Sequence, residues 1–357
     1  MISKKRFLFK RIIDDTLGKV VFNLLKIRKK RELPKEVNKI VILKLSSIGD
    51  SLLSLPGIKY LKESTNAKIV VVHSKDNECI FKNQKFIDET FLLDVSGNNP
   101  LNLIKALLKL KDQKAEVSMD LSHTGNLSAL FSAFSGKFLI GFFNEEFPSR
   151  KGLYDLEISL NKNKHMVLNY FNLTNSLYKN KNIQAISLVR PLDEKKQKHK
   201  IEKLLNSKKN LVGIHPCHEI KEKSWEKENF SKLIDYLVER GKTPVLIGSL
   251  KEKEEVGKLV SLLKHKNKVL DLSGELNIPE VFTIMNYFDF FISNDGGIMH
   301  IAASFNLPTL GIFSAETPKK YAPFNAKSFA IDSRKISKEE SFKTAKKVID
   351  LFLNKHL

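Results

Sequence analysis

The stretch IVILKLSSIGDSLLSLPGIKYLK, residues 40–62, decides how this chain is read. Ile40–Leu43 is an aliphatic, β-branched run of the kind required by a strand buried on both faces. From Asp50 onward, apolar residues recur at helical spacing, which predicts an amphipathic helix over 50–63. Between them lies Ser46-Ser47-Ile48-Gly49-Asp50. A strand-to-helix turn ordinarily welcomes a phosphate, because the free amides of a helix N-terminus carry partial positive charge. This turn instead brings its own carboxylate and has no glycine-rich loop. Asp50 either caps the helix or, kept ionised by the dipole and nearby amides, takes the proton of an attacking hydroxyl.

The same alternation continues outward. Strands are expected at 39–45, 68–73, within 86–94, at 116–121 and at 138–142, with helices at 101–112, 126–134 and 164–180. Residues 187–210 are charged, contain Pro191 and read as a domain junction. A second series starts at 211. Its strands are LVGIHP, TPVLIGS, VLDLSG, DFFISND and LPTLGIF, and helical patterns separate them. Continuous apolar strands alternating with helices imply parallel sheets covered on both faces. The expected architecture is α/β, with two Rossmann-like doubly wound domains, 39–190 and 191–335, facing a central cleft. A basic N-terminal segment, 1–38, and a C-terminal amphipathic helix, 336–357, flank them. Ligands are expected at the carboxyl ends of the strands.

The 357 residues are 42% hydrophobic, enough for sizeable cores, and carry a formal net charge of +21. That balance favours anionic partners such as a membrane surface or phosphorylated sugars, and it is equally what lysine-decorated solvated faces produce. No RNP-type signature, zinc-finger spacing or basic zipper is present, so nucleic acid is not an expected partner. Cys79 and Cys217 are the two cysteines, too few for a disulfide framework, and point to a reducing compartment. Residues 1–31 carry eleven Lys and Arg against Asp14 and Asp15, with apolar residues at helical spacing. No apolar run there approaches the ~20 residues of a membrane span, and no secretory signal is recognisable. The segment reads as an amphipathic helix on an anionic membrane face or as one packed on the first domain.

Three constellations lie in the second half. In FFISNDGGIMHIAASFN, a strand ends at Asn294-Asp295 and Gly296-Gly297 open a helix carrying His300. Such a turn suits a diphosphate or is simply tight, with a core histidine. In GIHPCHEIKEKSWEKENF, the post-strand loop carries His215, Cys217, His218, Lys221, Lys223 and Trp225. No further Cys/His pair stands at zinc spacing, so the lysines read as anion ligands or as solvated charge. In LIGSLKEKEE, Glu252 starts a helix, where an acid binds hydroxyls or complements the dipole.

Together KLSSIGD, HP…KEKSW, GS…E and SNDGGIMHIAASFNLPTLGIF resemble glycosyltransferase family 9, the lipopolysaccharide heptosyltransferases, over roughly residues 39–330. The resemblance implies a GT-B fold and metal-independent, inverting transfer without a cofactor. The sugar would move from a nucleotide diphosphate donor, usually ADP-heptose, to a glycolipid or other surface-glycan acceptor. It implies a base at Asp50 and phosphate stabilisation by Lys223. Donor contacts would come from His215, Cys217, Lys223, Glu252, Asp295, Gly296, Gly297 and His300, and acceptor contacts from Ser47, Gly49, His123 and Asn126, although a turn plus helix cap explains His123 and Asn126 equally well. The expected location is cytoplasmic, peripheral on the inner membrane. Three departures stand out: Gly296 replaces a common Thr or Ser, Pro216 and Cys217 follow His215 where two small hydroxyl residues are common, and DLSHTGNLSAL has no basic residue before Ser128. The rival readings are a GT-B-like sugar-nucleotide epimerase, which would act without an acceptor, and a non-catalytic membrane-associated scaffold.

Overall fold

A computed structural model describes residues 29–45, 47–93, 100–124, 126–143, 145, 148–178, 186–191, 197–218 and 220–354. Most of the expected basic helix, residues 1–28, lies outside them. The chain divides into two compact units, Met1–Ile186 and Ser187–Leu357.

The first unit contains strands β1 (Lys39–Lys44), β2 (Lys68–His73), β3 (Glu89–Leu92), β4 (Ala115–Asp120), β5 (Gly136–Phe143) and β6 (Leu156–Ser159). They pair in the order β3-β2-β1-β4-β5-β6, all parallel. This is the doubly wound order whose switch point lies between the first and fourth strands. The helices are α1 (Ile48–Glu63), α2 (Glu78–Phe81), α3 (Pro100–Lys111), α4 (Leu127–Ser135) and α5 (Met166–Asn175). Edge strand β6, LEIS, was not among the expected elements. Its residues are only half-buried, so no apolar run announces it. The helix expected over 164–180 is shorter, and residues 176–178 form a turn.

Helix α1 departs from the amphipathic expectation. Gly49, Ser51–Ile58 and Leu61 are all buried, because α5 covers the side that solvent would otherwise wet. Gly57 allows this approach: a Cβ there would stand 2.6 Å from Thr174 Oγ1 and 3.2 Å from the Tyr170 carbonyl.

The second unit repeats the plan. Its strands are β7 (Leu211–His215), β8 (Thr243–Leu246), β9 (Leu270–Asp271), β10 (Phe288–Asn294), β11 (Thr309–Phe313) and β12 (Phe329–Asp332). Their order is β12-β11-β10-β7-β8-β9, again parallel, with the switch point between β7 and β10. Helices α6 (Lys198–Leu205), α7 (Lys227–Glu239), α8 (Lys253–Ser261), α9 (Ile278–Ile284), α10 (Gly297–Ser304), α11 (Pro318–Tyr321) and α12 (Lys338–Leu353) accompany them. The C-terminal helix α12 is part of this unit. Ala345, Val348, Ile349 and Phe352 join its core, and Trp225 Nε1 donates to Ser341 Oγ at 3.0 Å. Among the described residues no helix is long and apolar enough to cross a membrane.

Gly57→Val places branched methyls against the backbone of α5. It is expected to destabilise the chain by about 1–3 kcal/mol, read as a lower midpoint in denaturant unfolding, whereas Gly257→Ala, on a surface with no atom within 4 Å of the added Cβ, is not.

Candidate active site

In the first unit, the segment after β1 bends sharply. Ser47 holds φ 52° and ψ 137°, a conformation costly for a residue with a side chain. Its hydroxyl accepts from the Asp50 amide at 3.2 Å and donates to Asp50 Oδ2 at 3.0 Å. Ser47 is therefore the helix cap, and Asp50 stands inside the first turn of α1. Buried Asn77 fastens the turn, donating to the Lys44 carbonyl at 2.9 Å and to Ser51 Oγ at 2.8 Å.

The Asp50 carboxylate makes long-range contacts. The Tyr170 hydroxyl, from α5, donates to Asp50 Oδ1 at 2.8 Å. Lys44, 1% exposed, donates to the Tyr170 hydroxyl at 3.2 Å and lies 4.0 Å from Asp50 Oδ2. His123 Nδ1 stands 3.4 Å from the same phenol oxygen. Burial works against the charge on Asp50, but the Lys44 ammonium, His123 and the hydrogen bonds from Tyr170 and Ser47 outweigh it and pull the carboxyl down to about 2. Burial lowers the Lys44 pKa against the pull of Asp50 and Asp120. The carboxylate keeps 17% of its surface and unused lone pairs.

The loop after β4 carries His123 and Asn126. Asn126 is buried and accepts from Ser149 Oγ at 2.8 Å, so its side chain braces the loop. Beneath it, Arg150 and Asp120 form an ion pair with both partners fully buried. Arg150 also donates to Ser128 Oγ at 3.0 Å and to the Ser122 carbonyl at 2.6 Å. The cation missing before Ser128 in the sequence thus arrives from a distant turn. Gly49 is buried within α1.

In the second unit, His215 ends β7, Glu252 follows β8, and Asp295 and Gly296 follow β10. His215 Nε2 lies 3.5 Å from Glu252 Oε1, while Glu252 Oε2 accepts from the Ser249 amide at 2.7 Å. Burial opposes the Glu252 charge, but the hydrogen bond and charge of His215 and the Ser249 contacts prevail, holding it at about 2. Lys223 Nζ stands 3.6 Å from Asp295 Oδ2 and 4.0 Å from Glu316 Oε1. Asn294 staples the two switch-point loops: it donates to the Pro216 carbonyl at 2.8 Å and accepts from the Trp225 amide at 2.8 Å. Gly296 is extended, φ 175°, and Gly297 begins α10, whose first turn contains no acid. His300 is buried in that helix, its ring 6.3 Å from that of Tyr321. Cys217 packs into the apolar core, where burial, with Glu252 adding to it, pushes its thiol up to about 12. Among the described residues no three His, Cys, Asp or Glu side chains converge as a metal site.

Sequence reasoning passed over Lys44, Asn77, Tyr170 and Asn294. Lys44 did leave a signal, a charge breaking an apolar strand just before its turn. The contacts of Tyr170 and Asn294 depend on chain segments brought together only by folding.

Asp50 has a depressed native pKa, so its stabilising contribution is present above the unfolded carboxyl range and is lost as pH falls toward 2. Asp50→Asn is therefore expected to cost about 2 kcal/mol near neutrality. Its deficit against wild type should shrink as unfolding is measured from pH 5 down to about 3; a pH-independent deficit would contradict the ionised pair.

The family model for glycosyltransferase family 9 (heptosyltransferase) matches residues 103–349. Lipopolysaccharide heptosyltransferase 1 of Campylobacter coli is 25% identical over 293 residues, covering 78% of this chain and 84% of that protein. Lipooligosaccharide heptosyltransferase 2 of Campylobacter jejuni is 26% identical over 292 residues, covering 80% and 84%. Among solved structures, ADP-heptose LPS heptosyltransferase II of Escherichia coli superposes with a TM-score of 0.73 at 19% identity, covering 89% of this chain and 99% of that one. With two parallel six-stranded sheets of doubly wound order, a GT-B type fold, and a family match across most of its length, this chain belongs to glycosyltransferase family 9 and is a glycosyltransferase.

Proposed function

We propose that the chain moves a heptose from ADP-heptose to a lipopolysaccharide-core acceptor, with inversion and without a metal. The observation that carries this is the opposite chemistry of the two switch points. One presents a hydrogen-bonded carboxylate, Asp50, with partly exposed oxygens. The other presents Lys223, paired with Asp295, beside the start of α10, whose first turn contains no acid. The names of the relatives support the sugar and acceptor class, and the Escherichia coli structure's name supports the donor.

On this reading the acceptor O–H proton passes to Asp50 as its oxygen attacks the anomeric carbon. The bond from that carbon to the diphosphate oxygen breaks, and its electron pair leaves with the nucleotide diphosphate. Lys223 and the amides at Gly296-Gly297 stabilise the charge that develops there. A bound diphosphate would draw Lys223 from Asp295 and Glu316. Asp295 and His300 would hold sugar hydroxyls; Glu252 and His215 would hold the nucleoside side of the donor. Ser47 and His123 would meet the acceptor, and residues 1–31 would keep the enzyme at the cytoplasmic face of the inner membrane.

A donor panel tests this. ADP-heptose at ~100 times its dissociation constant should raise the melting temperature by several degrees, and UDP-, GDP- and dTDP-sugars should not. Asp50→Asn should keep that shift and lose about 10²–10⁴ in kcat. Lys223→Ala should weaken both. A melting temperature indifferent to ADP-heptose, or nucleotide release that needs no acceptor, would overturn the assignment.

Gly296 allows a second test. Its backbone is extended, and an added Cβ would meet nothing closer than His218 Cδ2 at 3.5 Å. Gly296→Ser is therefore expected to fold within about 0.5 kcal/mol of wild type while altering the relative kcat/KM among sugar donors.

A further inference from the structure

The first-unit site contains a group for which the transfer reaction has no direct use. Lys44 ends β1 at 1% exposure, too deep to touch an incoming glycan. A buried ammonium is expensive unless its charge and protons are matched. Its ammonium meets the Tyr170 hydroxyl at 3.2 Å and sits 5.2 Å from that ring's centroid, with Asp50 Oδ2 at 4.0 Å. Tyr170 has one proton, and the geometry sends it to Asp50 Oδ1 at 2.8 Å while the phenol oxygen receives from Lys44. Ser47 holds the other carboxylate oxygen at 3.0 Å. Both oxygens are thus pinned, from α5 and from the turn itself. Other charged or titratable groups facing this cluster are His123 on the phenol oxygen and, acting on Lys44, the Asp120–Arg150 pair.

We propose that Lys44 and Tyr170 are positioning residues for the transfer reaction: the buried ammonium and the phenol to which it donates hold the Asp50 carboxylate ionised and in one orientation, leaving its remaining lone pairs for the acceptor hydroxyl. This rests on Asp50 being the base. It adds how a half-buried carboxylate stays ready between turnovers. When Asp50 takes the acceptor's proton, Lys44 loses its counter-charge. Release of that proton to solvent restores the pair, so the neutral acid does not persist. Without Lys44, burial would favour the protonated acid, and the enzyme would lose its base on the acid side of the pH profile.

The test has a readout that needs no acceptor. Infrared spectra of each protein minus those of its Asp50→Asn counterpart, recorded across pH, isolate protonation of this carboxyl. In Lys44→Met the titration is expected to move up by at least about one pH unit relative to wild type. In Tyr170→Phe, which removes a single hydroxyl and guards against a Lys44 variant that fails to fold, a smaller upward move is expected. Tyr170→Phe should also lower kcat about tenfold, with the KM for ADP-heptose unchanged. The acid limb of kcat/KM, measured with ADP-heptose and lipid A-core oligosaccharide, should follow the infrared shift. If Asp50→Asn is inactive while folded Lys44→Met and Tyr170→Phe keep the wild-type titration and kcat, the positioning role is wrong and the base stands. If Asp50→Asn transfers sugar at the wild-type rate, the base reading falls and this inference falls with it.

Discussion

A lysine ammonium buried at the end of a strand must find an anion, and in this chain that requirement organises the first unit. Lys44 can complete β1 only if a carboxylate and a hydroxyl reach it inside the protein. Asp50 is brought within reach by the strained turn at Ser47. Tyr170 is brought within reach because Gly57 lets α5 lie against α1 without a side chain between them. Asn77 ties the strand end to the helix start so that neither can drift. Each device has a local energetic cost that makes little sense alone. Together they fix one carboxylate at the switch point of the sheet.

The parts of this arrangement written as local pattern were legible in the sequence. Ile40–Leu43, Ile69–Val72 and Phe290–Ile292 are uninterrupted apolar runs because those strands are covered on both faces, and they announce parallel sheets. The edge strands β6 and β12, with LEIS and FAID, bury only part of their surface, so neither stands out as a strand covered on both faces. Helix α1 was misjudged as amphipathic for a related reason. Its serines and glycines look like a polar face, yet Ser51 and Ser54 are buried and satisfied by backbone carbonyls of their own helix. Asp50 was legible because turn and acid are adjacent. Tyr170, 120 positions away, was not. Arg150 was equally hidden: the sequence shows a cation missing before Ser128, and only the fold reveals where it comes from.

The two units share a strand order, so the difference between their switch points lies in side chains and not in topology. In both, a helix begins at the carboxyl end of a switch-point strand and offers amides with partial positive charge. In the first unit the chain spends that charge on its own acid, since Asp50 occupies the opening turn of α1 and Ser47 takes the amide. A phosphate brought there would meet a carboxylate already paired with its own buried cation, and the repulsion would be poorly screened at 17% exposure. In the second unit the opening turn of α10 has no acid, and its N-cap residue, Gly296, brings no side chain to occupy the amides. Asp295 stands just before it but shares Lys223 with Glu316. That lysine is itself 23% exposed, so on the proposed reading it could turn to an incoming diphosphate. Lys44 has no such freedom, because moving it would strand an ammonium in the core. On the proposed reading, the more exposed cation would suit the ligand that comes and goes, and the fixed cation the base that must stay.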